Sequence, residues 1–486
     1  MSNGHRNLVW FRRDLRVRDN HALHHAAMAA SRGVVAVFVI SPAEWRAHDD
    51  APVKIDFWLR NLRELSAELA ALNIPLVIVV AAKTNQIGTA LLEVAKRTRC
   101  NALYYNHEYE VNEQARDRAV AAHFKAHGLA STGFHDHVVF DPSTIRTGTG
   151  GYYGVYTPFK KAFIKRAEAD GFKVLPMPRK QPEMPCEPSA VPATVPGFES
   201  RVDPAHWPAG ERFALDHLAR FCEHRIAAYK EARDTPAIDG TSRLSAYLNS
   251  GVVSPRQCIA RAMEANAARL DDTKGGSPGP AHWISEVIWR EFYQHVIHGH
   301  PRICMGRAFR PATDRIVWDD NPGFFERWCQ GRTGVPIVDA AMRQLAELGW
   351  MHNRLRMIVA MYLSKDLFLN WRLGEKFFMQ RLIDGDLGSN NGGWQWSAST
   401  GTDSAPYFRI FNPASQSERC DPDGAFIRRW VPELAGVQGE AIHDPSRLPG
   451  LLRGKLDYPE PLVDRTKTKD RVIAAFRGLD ERVQDA

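Results

Sequence analysis

The sequence predicts an α/β N-terminal domain on a doubly wound, parallel five-stranded sheet, followed by a larger all-α domain. Three observations carry this. Through the first 140 residues, short apolar runs alternate with amphipathic stretches, as strand–helix units of a parallel sheet do. Residues 174–210 hold nine of the thirty prolines, a density that blocks helix and central strand and favours an extended connector. Beyond about residue 211 the apolar spacing turns helical. The expected divisions are 1–140 for the sheet domain, 141–210 for the connector and 211–486 for the helical domain.

The strand candidates are Leu8–Phe11, Val34–Ile40, Leu76–Val80, Ala102–Tyr105 and Thr132–His135, with helices near 20–31, 54–72, 86–97 and 110–127. In the second helix Phe57, Leu59, Leu62, Leu65, Leu69 and Leu72 recur at helical spacing. Doubly wound sheets bind ligands beyond the C-terminal ends of their strands. Yet no G-x-G-x-x-G follows the first strand, and no G-x-x-x-x-G-K-[ST] occurs anywhere. In the helical part Leu215, Leu218, Cys222, Ile226 and Tyr229 share a face. Pro336 stands where a helix begins and Gly349 where it ends. Further helices are expected at 281–297, 353–369, 374–383 and 464–478, and the glycines and prolines of Asp271–Pro280 mark a surface loop.

Composition narrows the class. Of 486 residues, 44% are apolar and 24% charged, which excludes a disordered or fibrous chain. The longest apolar runs, Val34–Ile40 and Leu76–Ala82, fall far short of the ~20 residues that span a bilayer. The N-terminus does not read as a signal peptide, so no membrane partner is expected. Seven scattered cysteines without a C-x-x-C pair indicate a reduced, cytosolic protein with no structural zinc. The net charge of +7 permits a polyanionic partner.

Nine of the thirteen tryptophans fall between 283 and 430, and an aromatic core accounts for most of them. Some neighbours fit a core less well. Trp283, Glu286 and Arg290 stand at i, i+3 and i+7, and Glu286, Trp289 and Tyr293 repeat the spacing. On a helix this makes one face both aromatic and charged. Such charges are costly in a dry core. They suit a pocket where a planar heterocycle stacks and hydrogen-bonds; a solvated, salt-bridged face is the alternative. Asn353, Arg356 and Met357 share a face of the next helix, and Asp384-Gly385-Asp386 reads as a turn. Trp394 and Trp396, two residues apart, point to opposite sides and cannot serve one pocket.

These segments resemble the cryptochrome/photolyase flavoproteins, most of all the bacterial class I cyclobutane pyrimidine dimer photolyases. The resemblance rests on Leu8–Arg16 with Asp19-Asn20, Gly240–Ser245, Trp289–Tyr293, Trp350–Arg354 and Asp384–Trp396, in the family's order. It implies a Rossmann-like antenna domain, a long connector and a helical FAD-binding domain. Tyr229 and the run Thr241, Ser242, Arg243, Leu244 and Ser245 are then expected to hold the FAD phosphates and nearby groups. Trp283, Arg290 and Trp350 enclose the cofactor. Arg356 pairs with Asp384 beside the isoalloxazine, Gly385 and Asp386 lie at the ring edge or sugar, and Asn390 faces flavin N5.

The chemistry the resemblance implies belongs to the cofactor. Fully reduced FAD absorbs blue light, lends an electron to a pyrimidine dimer, the cyclobutane ring splits and the electron returns. Glu286 is expected to hydrogen-bond the dimer, which favours a raised pKa in an apolar pocket. Trp289 and Trp396 pack on the flipped lesion, and Asn353 and Met357 complete its pocket. Trp394, Trp371 and Trp318 match the family's route for photoreducing oxidised flavin; spacing alone makes the last two core residues. Arg233, Arg354 and Gln416 match contacts to double-stranded DNA, whose binding should weaken with salt. His48, Asn112, Glu113 and Cys304 match positions for a 5,10-methenyltetrahydrofolate antenna, although Met305 stands where relatives often carry lysine. A cytoplasmic, nucleoid-associated monomer is expected. The rival readings are a signalling cryptochrome, against which stand Asn390 and the lesion pocket, a (6–4) photolyase, in which a histidine is expected where Asn353 stands, and a single-strand-selective relative.

Overall fold

Five parallel strands, in the order β3-β2-β1-β4-β5, organise the first part of the chain. A computed structural model describes residues 5–484. The strands are β1 (Asn7–Phe11), β2 (Val34–Ile40), β3 (Leu76–Val80), β4 (Ala102–Asn106) and β5 (Ala130–Phe134). All but the last lie within a residue of expectation; β5 begins two residues before Thr132. Strands β1 and β2 are buried along their whole length, as parallel strands covered on both faces must be.

The helices that follow are α1 (His21–Ala29), α2 (Pro42–Ala47), α3 (Pro52–Ala71), α4 (Ile87–Thr98), α5 (Val111–Ala126), α6 (Tyr156–Asp170), α7 (Glu211–His224), α8 (Tyr229–Ala232), α9 (Ser245–Asn249), α10 (Pro255–Glu264) and α11 (Pro278–Gly299). Helix α3 buries Phe57, Leu59, Leu62, Leu65 and Leu69, the stripe its spacing predicts. Helix α6, not among the expected helices, lies ahead of the proline-rich stretch within 141–210, and its buried Tyr156, Phe159, Phe163 and Ala167 form a helical stripe. The shared face from Leu215 to Tyr229 is not one helix either, since α7 stops at His224. The loop expected over Asp271–Pro280 gives way to α11 at Pro278, because proline is tolerated in a first helical turn.

The chain forms two units. The first comprises residues up to Ala227, Ser242–Pro301 and Ile383–Gly385. Its topological switch point lies between β1 and β4, and protein side chains fill the space beyond it. Arg12 pairs with Asp117 at 2.6 Å, and Asn106 Nδ2 donates to Asp14 Oδ2 at 2.6 Å and to Asn20 Oδ1 at 3.0 Å.

The second unit comprises Ala228–Thr241, Arg302–Leu382 and the residues from Asp386. Besides α8 it carries α12 (Pro322–Cys329), α13 (Pro336–Leu348), α14 (Asn353–Met361), α15 (Trp371–Met379), α16 (Leu387–Ala398), α17 (Pro413–Cys420), α18 (Ala425–Trp430), α19 (Gly450–Arg453) and α20 (Arg465–Gln484). Helix α13 starts at Pro336 and ends on Gly349 with φ +62°, the left-handed cap that glycine supplies. Regular helix does not run over 353–369. After Met361 it widens into a π turn, Tyr362–Asp366, which turns Lys365 and Asp366 inward: Lys365 Nζ donates to Ser399 Oγ at 2.8 Å and Asp366 pairs with Arg465 at 2.8 Å. Helix α15 begins at Trp371 rather than 374 because the Asn370 side chain caps it. Among the described residues no helix is long and apolar enough to cross a membrane.

Candidate functional site

In the first unit the expected site residues gather on α11. Trp283 is buried, and its Nε1 donates to Ser242 Oγ at 3.2 Å, tying the indole to the loop before α9. In that loop Ser242 and Leu244 are buried while Arg243, exposed, takes φ +50°. Glu286 keeps 30% of its side chain exposed, 3.9 Å from His282 one turn earlier. Trp289 is half-buried and lies flat on Tyr156, ring centroids 3.6 Å apart and planes 9° apart. Arg290 donates to the His137 carbonyl at 2.6 Å, so one of its N–H groups serves the fold. The Gly385 carbonyl accepts from Lys54 Nζ at 2.6 Å and from Asn249 Nδ2 at 3.1 Å. These two donors, which the sequence did not single out, fix the turn at Asp384-Gly385.

The second unit carries the remaining residues. Tyr229 is buried, with the Arg233 guanidinium 5.8 Å from its ring centre. On α14 Asn353 is exposed and Arg356 and Met357 half-buried, so this polar face is open. Arg356 Nε donates to the Met351 carbonyl at 2.8 Å, and Trp350 is buried just before the helix. Asp386 caps α16 by accepting from Ser389 N and Oγ at 2.9 and 2.8 Å. Asn390, one turn on, is buried, and its Nδ2 donates to the Glu375 carbonyl at 2.9 Å. That bond fixes the amide and leaves Oδ1 without a hydrogen-bond partner among the described residues. Asn391 Nδ2 in turn donates to Glu375 Oε1 at 2.7 Å and Gln395 Nε2 to Asn391 Oδ1 at 2.7 Å. Glu375 is therefore a support that spacing alone did not reveal.

Trp394 and Trp396 part company as expected: Trp394 is 2% exposed and Trp396 half-buried. Helix α15 approaches α16 through Gly374, where a Cβ would stand 2.1 Å from the Trp394 ring, so only glycine fits. Trp371 opens α15 and is fully buried. Asp319, beside Trp318, bridges to Leu369 as a parallel pair, which carries the half-buried Trp318 toward the start of that helix.

Arg354 makes two bonds to Asp234, 2.6 and 3.2 Å, and Arg233 lies 3.6 Å from the same carboxylate. Burial raises the Asp234 pKa, but the bond and charge of Arg354, with Arg233, outweigh it and hold the carboxyl below its ordinary range. Gln416 is half-buried on α17. On the sequence expectation that Arg354 contacts DNA, replacing it with Ala should weaken binding to damaged and undamaged DNA alike and reduce the slope of log K against log salt by about 1; filter binding across a salt series measures both. His352 differs from its neighbours: it is buried, its Nδ1 accepts from Arg354 N at 3.2 Å as the cap of α14, and burial pushes its pKa down to about 4.

His48, Asn112 and Glu113 come together in the first unit. Asn112 Nδ2 and His48 Nε2 are 3.2 Å apart, and His48 Nδ1 lies 3.2 Å from Glu113 Oε1. Burial, with Glu110 and Glu108 adding, pushes the Glu113 carboxyl up to about 8. Glu44 joins them, the three ligand atoms of Glu44, His48 and Glu113 lying within 4.8 Å of one another, and Glu44 also pairs with Arg116 at 2.7 Å. Cys304 lies in the short turn Pro301–Met305.

The fold and its family matches define a two-domain flavoprotein. Residues 7–183 match the family model described as DNA photolyase, and residues 283–478 match the FAD binding domain of DNA photolyase. The chain is 44% identical over 470 residues to a deoxyribodipyrimidine photo-lyase of Salmonella typhimurium, covering 97% of this chain and 98% of that one. It is 43% identical over 470 residues to that of Escherichia coli, with the same coverage. Among solved structures, a class III photolyase from Agrobacterium tumefaciens superposes with a TM-score of 0.87 at 31% identity over 99% of both chains. A Synechocystis cryptochrome gives 0.86 at 27% identity over 98% of this chain and all of that one. The chain belongs to the DNA photolyase family.

The residues present fit FAD. In the second unit the open Oδ1 of a clamped, buried Asn390 and the nearby carboxylate of Asp386 suit N–H groups of a flavin ring. The hydroxyls and main-chain N–H groups of Thr241–Ser245 suit phosphates.

Proposed function

We propose that this chain is a light-driven lyase that splits cyclobutane pyrimidine dimers in double-stranded DNA. The observation that carries the reading is the half-open pair Glu286 and Trp289 on α11, in a chain that matches a photo-lyase over nearly its full length. Fully reduced FAD supplies the photoexcited electron for the chemistry when bound. Tyr229 and Thr241, Ser242, Arg243, Leu244 and Ser245 hold its phosphates and nearby groups; Trp283, Arg290, Trp350, Arg356, Asp384, Gly385, Asp386 and Asn390 hold the rest. Asn390 presents Oδ1 toward N5, because its Nδ2 is committed to Glu375.

Arg233, Arg354 and Gln416 grip the DNA backbone. The dimer leaves the stack, which damage makes cheaper, and enters a pocket of Glu286, Trp289, Asn353, Met357 and Trp396. Glu286 donates a hydrogen bond to the dimer where negative charge develops. His48, Asn112, Glu113 and Cys304 hold a 5,10-methenyltetrahydrofolate antenna, which the meeting of His48 with Asn112 and Glu113 at 3.2 Å each supports. The protein works as a monomer in the cytoplasm, beside the nucleoid where its substrate lies.

Purified protein with reduced flavin is expected to restore monomeric thymines in ultraviolet-irradiated oligonucleotides under blue light and not in darkness, as chromatography of the bases will show; no restoration in light rejects the reading. Glu286→Ala should retain FAD but lose a hydrogen bond to a charged group, about 1.5–3 kcal/mol, which slows ring opening by roughly 10- to 150-fold, and the repair yield should fall as ring opening loses to electron return.

A further inference from the structure

We propose that Tyr156 is a positioning residue for dimer binding: it fixes the plane of Trp289 by stacking on one face of the indole and anchoring itself to the helix that carries it. The inference rests on the reading of Trp289 as a lesion-packing residue. The two rings are 3.6 Å apart, nearly parallel at 9°, which is full face contact rather than an edge approach. The Tyr156 hydroxyl donates to the Ser285 carbonyl at 2.7 Å and lies 2.6 Å from Ser285 Oγ. Ser285 precedes Trp289 by four residues, so it is the neighbour one turn away on the same face of α11. Tyr156 thus grips that helix at two levels, the main chain at one turn and the indole at the next.

The grip has a firm base. Tyr156 is itself buried at the start of α6. One turn further, Phe159 packs on Phe292 and His295 of α11, with centroids 5.3 and 5.0 Å apart. Phe292 also meets Trp289 edge-on at 5.7 Å and 79°. The indole, though only half-buried, is therefore held on one face and at one edge before any DNA arrives. A free tryptophan would lose rotamer freedom on binding a flipped base, and a clamped one has already lost it.

The experiment measures affinity for an oligonucleotide with one defined thymine dimer and for its undamaged twin, on flavin-loaded protein. Tyr156→Leu removes the ring and is expected to weaken dimer binding about 3- to 10-fold, with binding of the undamaged twin and the flavin spectrum unchanged. Tyr156→Phe keeps the ring but loses the hydroxyl anchor and should fall between the unaltered protein and Tyr156→Leu. In a Trp289→Ala background, Tyr156→Leu should add nothing, because there is no indole left to position. Unaltered dimer affinity in Tyr156→Leu, or a further loss in the double variant, overturns the proposal; the second result would mark a general structural role. Should Tyr156→Leu fail to fold, Tyr156→Met, which also lacks a ring, takes its place under the same criteria. If Trp289→Ala alone binds the dimer normally, it is the reading of Trp289 that fails, and the two failures are distinct.

Discussion

A Trp318→Phe variant is expected to lose nearly all light-driven reduction of its bound FAD, while repairing dimers at the unaltered yield once the flavin has been reduced chemically. The proposed electron route through Trp394, Trp371 and Trp318 leads to this. Trp394 is 2% exposed, and its indole N–H has no hydrogen-bond partner among the described residues. Once oxidised, it has no acceptor for its proton, so net reduction of the flavin requires that another ring refill Trp394 before the electron returns. Helix α15 reaches Trp394 through Gly374, and that helix opens at the fully buried Trp371. Trp318 comes toward the same end through the Asp319–Leu369 bridge and is half-buried, which lets it draw an electron from a reductant in solution. Phenylalanine is much harder to oxidise and ends the route there. Trp328 offers a competing exit, since it lies 6.0 Å from Trp394. It is fully buried, however, and packs on Phe325, Phe377 and Phe378, so an electron vacancy there meets no solvent. Trp328→Phe should therefore leave photoreduction intact. Absorbance of the flavin during blue illumination with a soluble thiol reads out both variants. Normal photoreduction in Trp318→Phe, or its loss in Trp328→Phe, would reverse the assignment of the route.

The parts of the molecule legible in the sequence are those whose physics is local. Strands β1 to β4 are short apolar runs, and α3 and α13 announce themselves by stripe and cap. Helix α6 shows where this fails: its stripe of Tyr156, Phe159, Phe163 and Ala167 is thin, and the proline-rich stretch after it hid the pattern. The π turn was invisible because its cause is not local; Lys365 and Asp366 turn inward to partners at Ser399 and Arg465. The same limit applies to the site. The charged, aromatic face of α11 was readable from spacing, and the roles of its residues came from resemblance. Asp234, Lys54, Asn249 and Glu375 were missed because a lone polar residue carries no mark of the distant group it will meet. Trp318 and Trp371 look alike in sequence, and only the fold tells the half-exposed ring from the fully buried one.

The buried charges of the first unit predict the largest stability effect. Arg256 on α10 is 2% exposed and spends every donor within reach. Its Nε pairs with Asp19 at 2.9 Å and its Nη2 with Asp136 at 2.9 Å, while Nη1 donates to the carbonyls of Asp136 and Val138 at 3.0 and 2.8 Å. Arg16 pairs with Asp136 from the other side at 2.6 Å. One guanidinium thus joins the segment after β1, the segment after β5 and a helix that begins more than a hundred residues later. Replacing it with Met removes the charge but leaves two buried carboxylates, one of them still served by Arg16. Breaking a buried pair in this way costs about 3–5 kcal/mol, against a total of about 5–15 for a typical domain. Burial alone would raise the Asp136 pKa, but Arg16 and Arg256 overcome it and depress the value strongly. A depressed carboxyl contributes stability above its unfolded pKa of about 3.9 and loses that contribution as pH falls through the folded value. The Met variant should therefore differ most from the unaltered protein at neutral pH and converge with it in strong acid. Adding Asp136→Asn to Arg256→Met should cost less than the two single losses summed, because they share one network. Urea unfolding followed by circular dichroism at several pH values tests the whole scheme, and strictly additive, pH-independent losses would show that packing, rather than charge, holds these segments together.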